Sequence, residues 1–139
     1  MTFMNDAVIS VMQGLSLIPA VGGRVFRSRT EALGADEAPA LAVYAKGSVP
    51  TRAAKGIDRH VFRLHVEVHV RGNPLDAIAD PLIEQVQPAV LKALGLLVDD
   101  VRLDGISFDG RDSDETIGYA LLEYELITMV SASTLANVS

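Results

Sequence analysis

The chain has 139 residues, 12 Lys and Arg against 18 Asp and Glu for a formal net charge of −6, and no cysteine. That is about one domain's length, and a mean hydropathy of +0.28 excludes a disordered chain. The acidic balance argues against a dedicated nucleic-acid binder; without thiols there are no disulfides, thiolate nucleophiles or zinc ribbons, which fits a reducing compartment.

Aromatic residues make up only 5%, so the core has to be aliphatic. Residues 1–5 carry no Lys or Arg ahead of the apolar stretch, so no secretory signal is expected. No apolar run reaches the ~18 residues of a membrane span. A single α+β domain is expected over 1–130, followed by a small, polar, flexible tail over 131–139.

Phe3, Ala7, Val8, Val11, Met12, Leu15 and Ile18 recur at steps of three and four. That spacing predicts an amphipathic helix, with Thr2 as its cap and Pro19 and Gly22-Gly23 as its stop. Arg24–Arg27 reads as a short strand, and the polar stretch 28–38 as a loop. Pro39 opens a brief strand over 40–45. Residues 46–58 contain Gly47, Pro50 and Gly56 and are expected to form a long basic loop carrying Lys46, Arg52 and Lys55.

Phe62, Leu64, Val66, Val68 and Val70 then alternate with Arg63, His65, Glu67 and His69. Strict alternation predicts a half-buried strand with one core face and one polar face. After Gly72, Asn73-Pro74 reads as the cap and first residue of a second helix. Its apolar face is Leu75, Ile78, Ala79, Leu82, Ile83, Val86, Val90 and Leu94. Pro81 and Pro88 inside it predict a bend, or a break at Asp80-Pro81. Two more strands, 101–108 and 119–129, flank an acidic turn with Asp109, Asp112, Asp114 and Glu115. The order helix, short strand, hairpin, helix, hairpin predicts a mostly antiparallel sheet of four to five strands with two main helices on one face.

No catalytic constellation emerges. His65, Glu67 and His69 spell H-x-E-x-H, but residues four apart on a strand lie ~13 Å apart, too far for both imidazoles to reach one ion at ~2.1 Å. Gly105-Ile106-Ser107-Phe108-Asp109-Gly110 misses the G-x-S-x-G elbow by one position, and no strand-to-helix turn follows it. Asp109, Asp112 and Asp114 lack the spacing of a calcium loop and read as a solvated turn. No metal, cofactor or enzymatic turnover is expected.

Several phrases in this order resemble a known family. They are Gly23-Arg24-Val25-Phe26, then Glu37-Ala38-Pro39-Ala40-Leu41-Ala42-Val43-Tyr44, then Val70-Arg71-Gly72-Asn73-Pro74 and Ile78-Ala79-Asp80. Gly118-Tyr119-Ala120 and Glu123-Tyr124-Glu125-Leu126-Ile127-Thr128 complete the set. Over residues 3–130 the chain resembles the tail terminator proteins of long-tailed phages, the group of lambda's minor tail protein U. Pro81 and Pro88 depart from that pattern.

The resemblance implies a structural protein that closes as a hexameric ring on the tail tube, in a virion or a prophage product assembled in the host cytoplasm. Its partners would be itself, the tail tube protein and the head-completion protein. No membrane and no specific nucleic-acid binding is expected, beyond DNA passing through the ring. The residues add that the basic segment (Lys46, Arg52, Lys55) and the acidic one (Asp109, Asp112, Asp114, Glu115) suit contacts between subunits. Two alternatives stand beside this reading: another head–tail connector or tail completion protein, and a small metal- or ligand-binding domain using His65, Glu67 and His69.

Overall fold

The computed structural model describes residues 3–27, 38–72, 74–110 and 117–131. Helix α1, Phe3–Leu15, forms where the sequence spacing places it, and Phe3, Ala7, Val8, Val11 and Leu15 are buried. A short 3-10 helix, Pro19–Val21, follows, closed by Gly22 in the left-handed region at φ 53°. Strand β1, Val25–Arg27, begins one residue later than expected. Arg24 instead turns its side chain back, and its Nε donates to the Pro39 carbonyl at 2.9 Å. Thr2, the expected helix cap, lies outside the described residues, as does Asn73.

Strands β2 (Ala40–Ala54) and β3 (Ile57–Arg71) are followed by helix α2 (Leu75–Leu94) and strands β4 (Asp100–Gly110) and β5 (Ile117–Ser131). The sheet order is β1-β2-β3-β5-β4. Only β1 and β2 are parallel; the other three pairings are antiparallel. The fold is α+β, a five-stranded mostly antiparallel sheet with two helices. No helix among the described residues is long and apolar enough to cross a membrane.

The long loop expected over 46–58 is not there. Strand β2 continues past Ala45 to Ala54, and β3 starts at Ile57, so a tight turn at Lys55-Gly56 joins them. Gly56 sits at φ 77°, a conformation that suits glycine at a hairpin turn. Gly47 and Pro50 read as loop signals but are absorbed into the strand, Gly47 beside a register shift between Ala45 and Gly47. Ser131, expected to start the flexible tail, pairs with Ile57 and closes β5; residues 132–139 lie outside the described residues.

The core lies between one sheet face and both helices. Strand β3 contributes Phe62, Leu64, Val66, Val68 and Val70, and β5 contributes Ala120, Leu122, Tyr124, Leu126 and Val130. Phe3 meets Phe62 with ring centroids 4.7 Å apart. Strand β4 reaches the same face through a change of phase. Val101 and Leu103 lie opposite Leu126 and Tyr124, a register shift follows between Leu103 and Gly105, and Ile106 and Phe108 then lie opposite Leu122 and Ala120. Asp104 is the extra residue, and it lets odd and then even positions share one face.

Helix α2 runs unbroken through Pro81 and Pro88, so Asp80 does not cap a second helix. Both prolines are exposed. Being seven apart they share one side, and the carbonyls they free belong to Ala77 and Glu84, both exposed residues that water can reach. Ala79, Leu82, Ile83, Val86, Val90 and Leu94 keep the other side buried.

Gly118 is where α2, β4 and β5 come closest. A Cβ there would lie 2.6 Å from the Asp109 carbonyl oxygen and 2.9 Å from Leu75 Cδ2. Gly105, on the neighbouring strand, would meet only Glu123 Oε2 at 3.7 Å. Gly118→Ala is therefore expected to cost about 1–3 kcal/mol through overpacking, and Gly105→Ala much less. Urea unfolding midpoints of the two variants check this; equal midpoints would contradict the close approach.

Candidate functional site

Of the residues singled out for subunit contact, Lys55 and Asp109 fall toward opposite ends of the sheet, whereas Lys46 lies midway along β2, between the pairs Ala45–Leu64 and Gly47–Arg63. The Lys55-Gly56 turn adjoins the pair Ile57 and Ser131, whereas Gly110 and Gly118, which lead into the acidic turn, adjoin the pair Arg71 and Ile117. Strand β3 spans that interval in 15 residues, about 45 Å at ~3.3 Å per residue. Asp109 is the next-to-last residue of β4, and Asp112, Asp114 and Glu115 lie outside the described residues. Lys46 and Lys55 are exposed. Arg52 is already engaged within the hairpin, its Nε 2.8 Å from Asp58 Oδ1, so it is not a free cation for a partner.

The polar face of the sheet, opposite the helices, carries a hydrogen-bonded group centred on Glu67. The Tyr44 hydroxyl donates to Glu67 Oε2 at 2.5 Å, and His69 Nε2 lies 2.8 Å from Oε1. The Tyr119 ring lies tilted beside His69, with centroids 5.0 Å apart, and its hydroxyl donates to Asp109 Oδ2 at 3.1 Å. His65 Nε2 stands 3.7 Å from Glu123 Oε1. Register creates this group: Tyr44 lies opposite His65, Ala42 opposite Glu67, and Tyr119 opposite His69. Sequence reading found His65, Glu67 and His69 but missed Tyr44, Tyr119 and Glu123, because no local spacing announces a cross-strand neighbour. The face is also less open than alternation suggests: His69 is only 8% exposed.

The electrostatics tie Tyr44, Glu67 and His69 together. The hydrogen bond from His69 is the main cause that holds the Glu67 carboxyl below its usual range, with the Tyr44 hydroxyl adding to it against the cost of burial. Burial first, and then the bond to Glu67, push the Tyr44 phenol up, away from a reactive phenolate. Burial also lowers His65, and nearby Lys46 and Arg63 add to that; the Glu123 carboxylate opposes them without winning. His65 is thus a neutral neighbour of Glu123 near pH 7 despite their proximity.

Among the described residues, no group of three or more His, Asp or Glu side chains is placed to hold a metal ion. An open groove of about 800 Å³ does exist, but on the helical layer, lined by Ser10, Gln13, Leu17, Glu84, Pro88 and Lys92. It is on the far side of the sheet from His65, Glu67 and His69. Ser107 lies within β4 opposite Leu121, in strand and away from any helix start. No family model matches the chain, and no curated protein matches it significantly.

The shifts of Glu67 and His65 have one consequence in common. A carboxyl held below its usual value stabilises the fold above that value and loses this contribution as pH falls. An imidazole held below its usual value likewise favours the fold while neutral and opposes it once charged. Stability should therefore decline as pH drops below the ordinary histidine value of 6.5, and decline further below the ordinary glutamate value of 4.5. Thermal melts from pH 8 to pH 4 check the sign, and His65→Gln should remove the upper part of the decline. A melting point that rises on acidification would contradict it.

Proposed function

We propose that this protein is a structural phage or prophage tail subunit that closes as a ring on the end of the tail tube. There it stops tube polymerisation and presents a surface to the head-completion protein. The observation that supports this reading is that exposed Lys55, at the β2–β3 turn, and Asp109, near the end of β4, lie toward opposite ends of β3, about 40 Å apart. Charges that far apart are several Debye lengths from each other at physiological salt, where screening acts over ~8 Å. Their attraction cannot be satisfied within one chain. It can be satisfied between chains that meet head to tail, one surface against a different surface, the arrangement that closes into rings.

The α+β fold and its element order agree with the resemblance noted in the sequence. The Glu67 group gives the sheet's polar face a fixed arrangement and activates no nucleophile, which suits a structural subunit. A tube-growth assay tests the function: tail-tube protein from the same genome is polymerised with and without this chain, and lengths are read by negative-stain electron microscopy. Substoichiometric addition should shorten the tubes and leave a cap at one end. Tubes of unchanged length with bare ends would defeat the proposal.

A further inference from the structure

Two surfaces at opposite edges of the sheet match each other. One is the far half of the β2–β3 hairpin. Among the described residues, β1 pairs only with residues 41–43 of β2, and from Lys46 onward β2 is largely exposed. Val49, opposite Val61 on the polar face of the sheet, is 57% exposed there. Residues 46–59 carry four basic residues (Lys46, Arg52, Lys55, Arg59) against one acid, Asp58.

The other surface is the outer edge of β4, the last strand in the sheet. Its side chains Ile106 and Phe108 are 42% and 48% exposed, although both project toward the helical side. Residues 99–110 carry four acids (Asp99, Asp100, Asp104, Asp109) against one base, Arg102, and Arg102 is already paired with Glu125. Each surface thus has an apolar centre and a charged rim, the usual anatomy of an interface, and the rims have opposite sign. Strands β3 and β5 stand between the two edges, so one chain cannot bring them together.

We infer that the far half of the β2–β3 hairpin of one copy packs against the free edge of β4 in the next copy. The contact is made by side chains and not by adding a strand. Lys46, Pro50 and the register shifts at Ala45/Gly47 and Arg52/Ala54 lie along β2, and such features keep an edge from pairing through its backbone. The inference rests on the reading that copies of this chain assemble, and it names the surface they use.

The chain has no cysteine, which gives a clean test. A chain carrying both Val49→Cys and Phe108→Cys, concentrated and treated with a short bis-maleimide, should yield covalent multimers larger than a dimer. Either substitution alone can give dimers at most. Ser107→Cys in place of Phe108→Cys serves if loss of the phenyl ring itself weakens the contact. Adding Lys46→Glu and Lys55→Glu should abolish the ladder, and further adding Asp100→Lys and Asp104→Lys should restore it. If neither double-cysteine chain gives a ladder, the inference is wrong. The same holds if the ladder ignores charge reversal. The tube-growth assay on the unmodified chain decides the capping function separately, so the failure of one is not mistaken for failure of the other.

Discussion

Strand β3 is paired on one edge by β2 from Ile57 to His69 and on the other by β5 along its whole length, and much of the rest of the molecule follows from this double pairing. Its even-numbered side chains from Phe62 to Val70 are buried, and each buried Leu or Val is worth ~1.5–3 kcal/mol. That gain is available only if the backbone donors and acceptors of the strand are satisfied too. Strand β2 satisfies one edge and β5 the other, each from Ile57 upward. Because β2 pairs with β3 as far as Ile57, the hairpin extends beyond the part of β2 that is buried. The exposed basic flank of β2 is a consequence of completing the β3 ladder.

Much of this was legible in the residues. Alternation over 62–70 located β3, three-and-four spacing located both helices, and their grouping gave the α+β class. The far half of β2 was hidden for a physical reason. From Lys46 to Ala54 it is mostly exposed and has no apolar alternation to read, while Gly47, Pro50 and Gly56 are turn residues by composition. Its conformation is imposed by β3, which is a tertiary effect. The bulge at Asp104 was equally silent: Val101, Leu103, Ile106 and Phe108 fit no single period, and only the partner strand reveals the change of phase. The prolines of α2 pointed to a possible interruption that exposure on one side renders unnecessary.

The candidate surfaces show the same division. Charge along the chain marked the basic and acidic segments, but only strand register shows that Lys55 and Asp109 lie toward opposite ends of β3 while Lys46 sits midway. It also shows that Arg52 is spent on Asp58, while β4, not singled out in the sequence, carries exposed Ile106 and Phe108 beside its acids. On the polar face, register gathers Tyr44, Glu67 and His69 into one hydrogen-bonded unit and leaves His65 neutral beside Glu123. Such a unit ties β2 to β3 through side chains as well as through the backbone ladder.

The central claim is that this chain acts through contacts between copies drawn together by opposite charge. Sedimentation equilibrium of the unmodified protein over a range of protein and salt concentrations tests it most directly. The account predicts a mass rising from the 14.8 kDa chain toward a closed multimer as protein concentration increases, with the association weakening as salt is added. A single 14.8 kDa species at every concentration and every salt would contradict it.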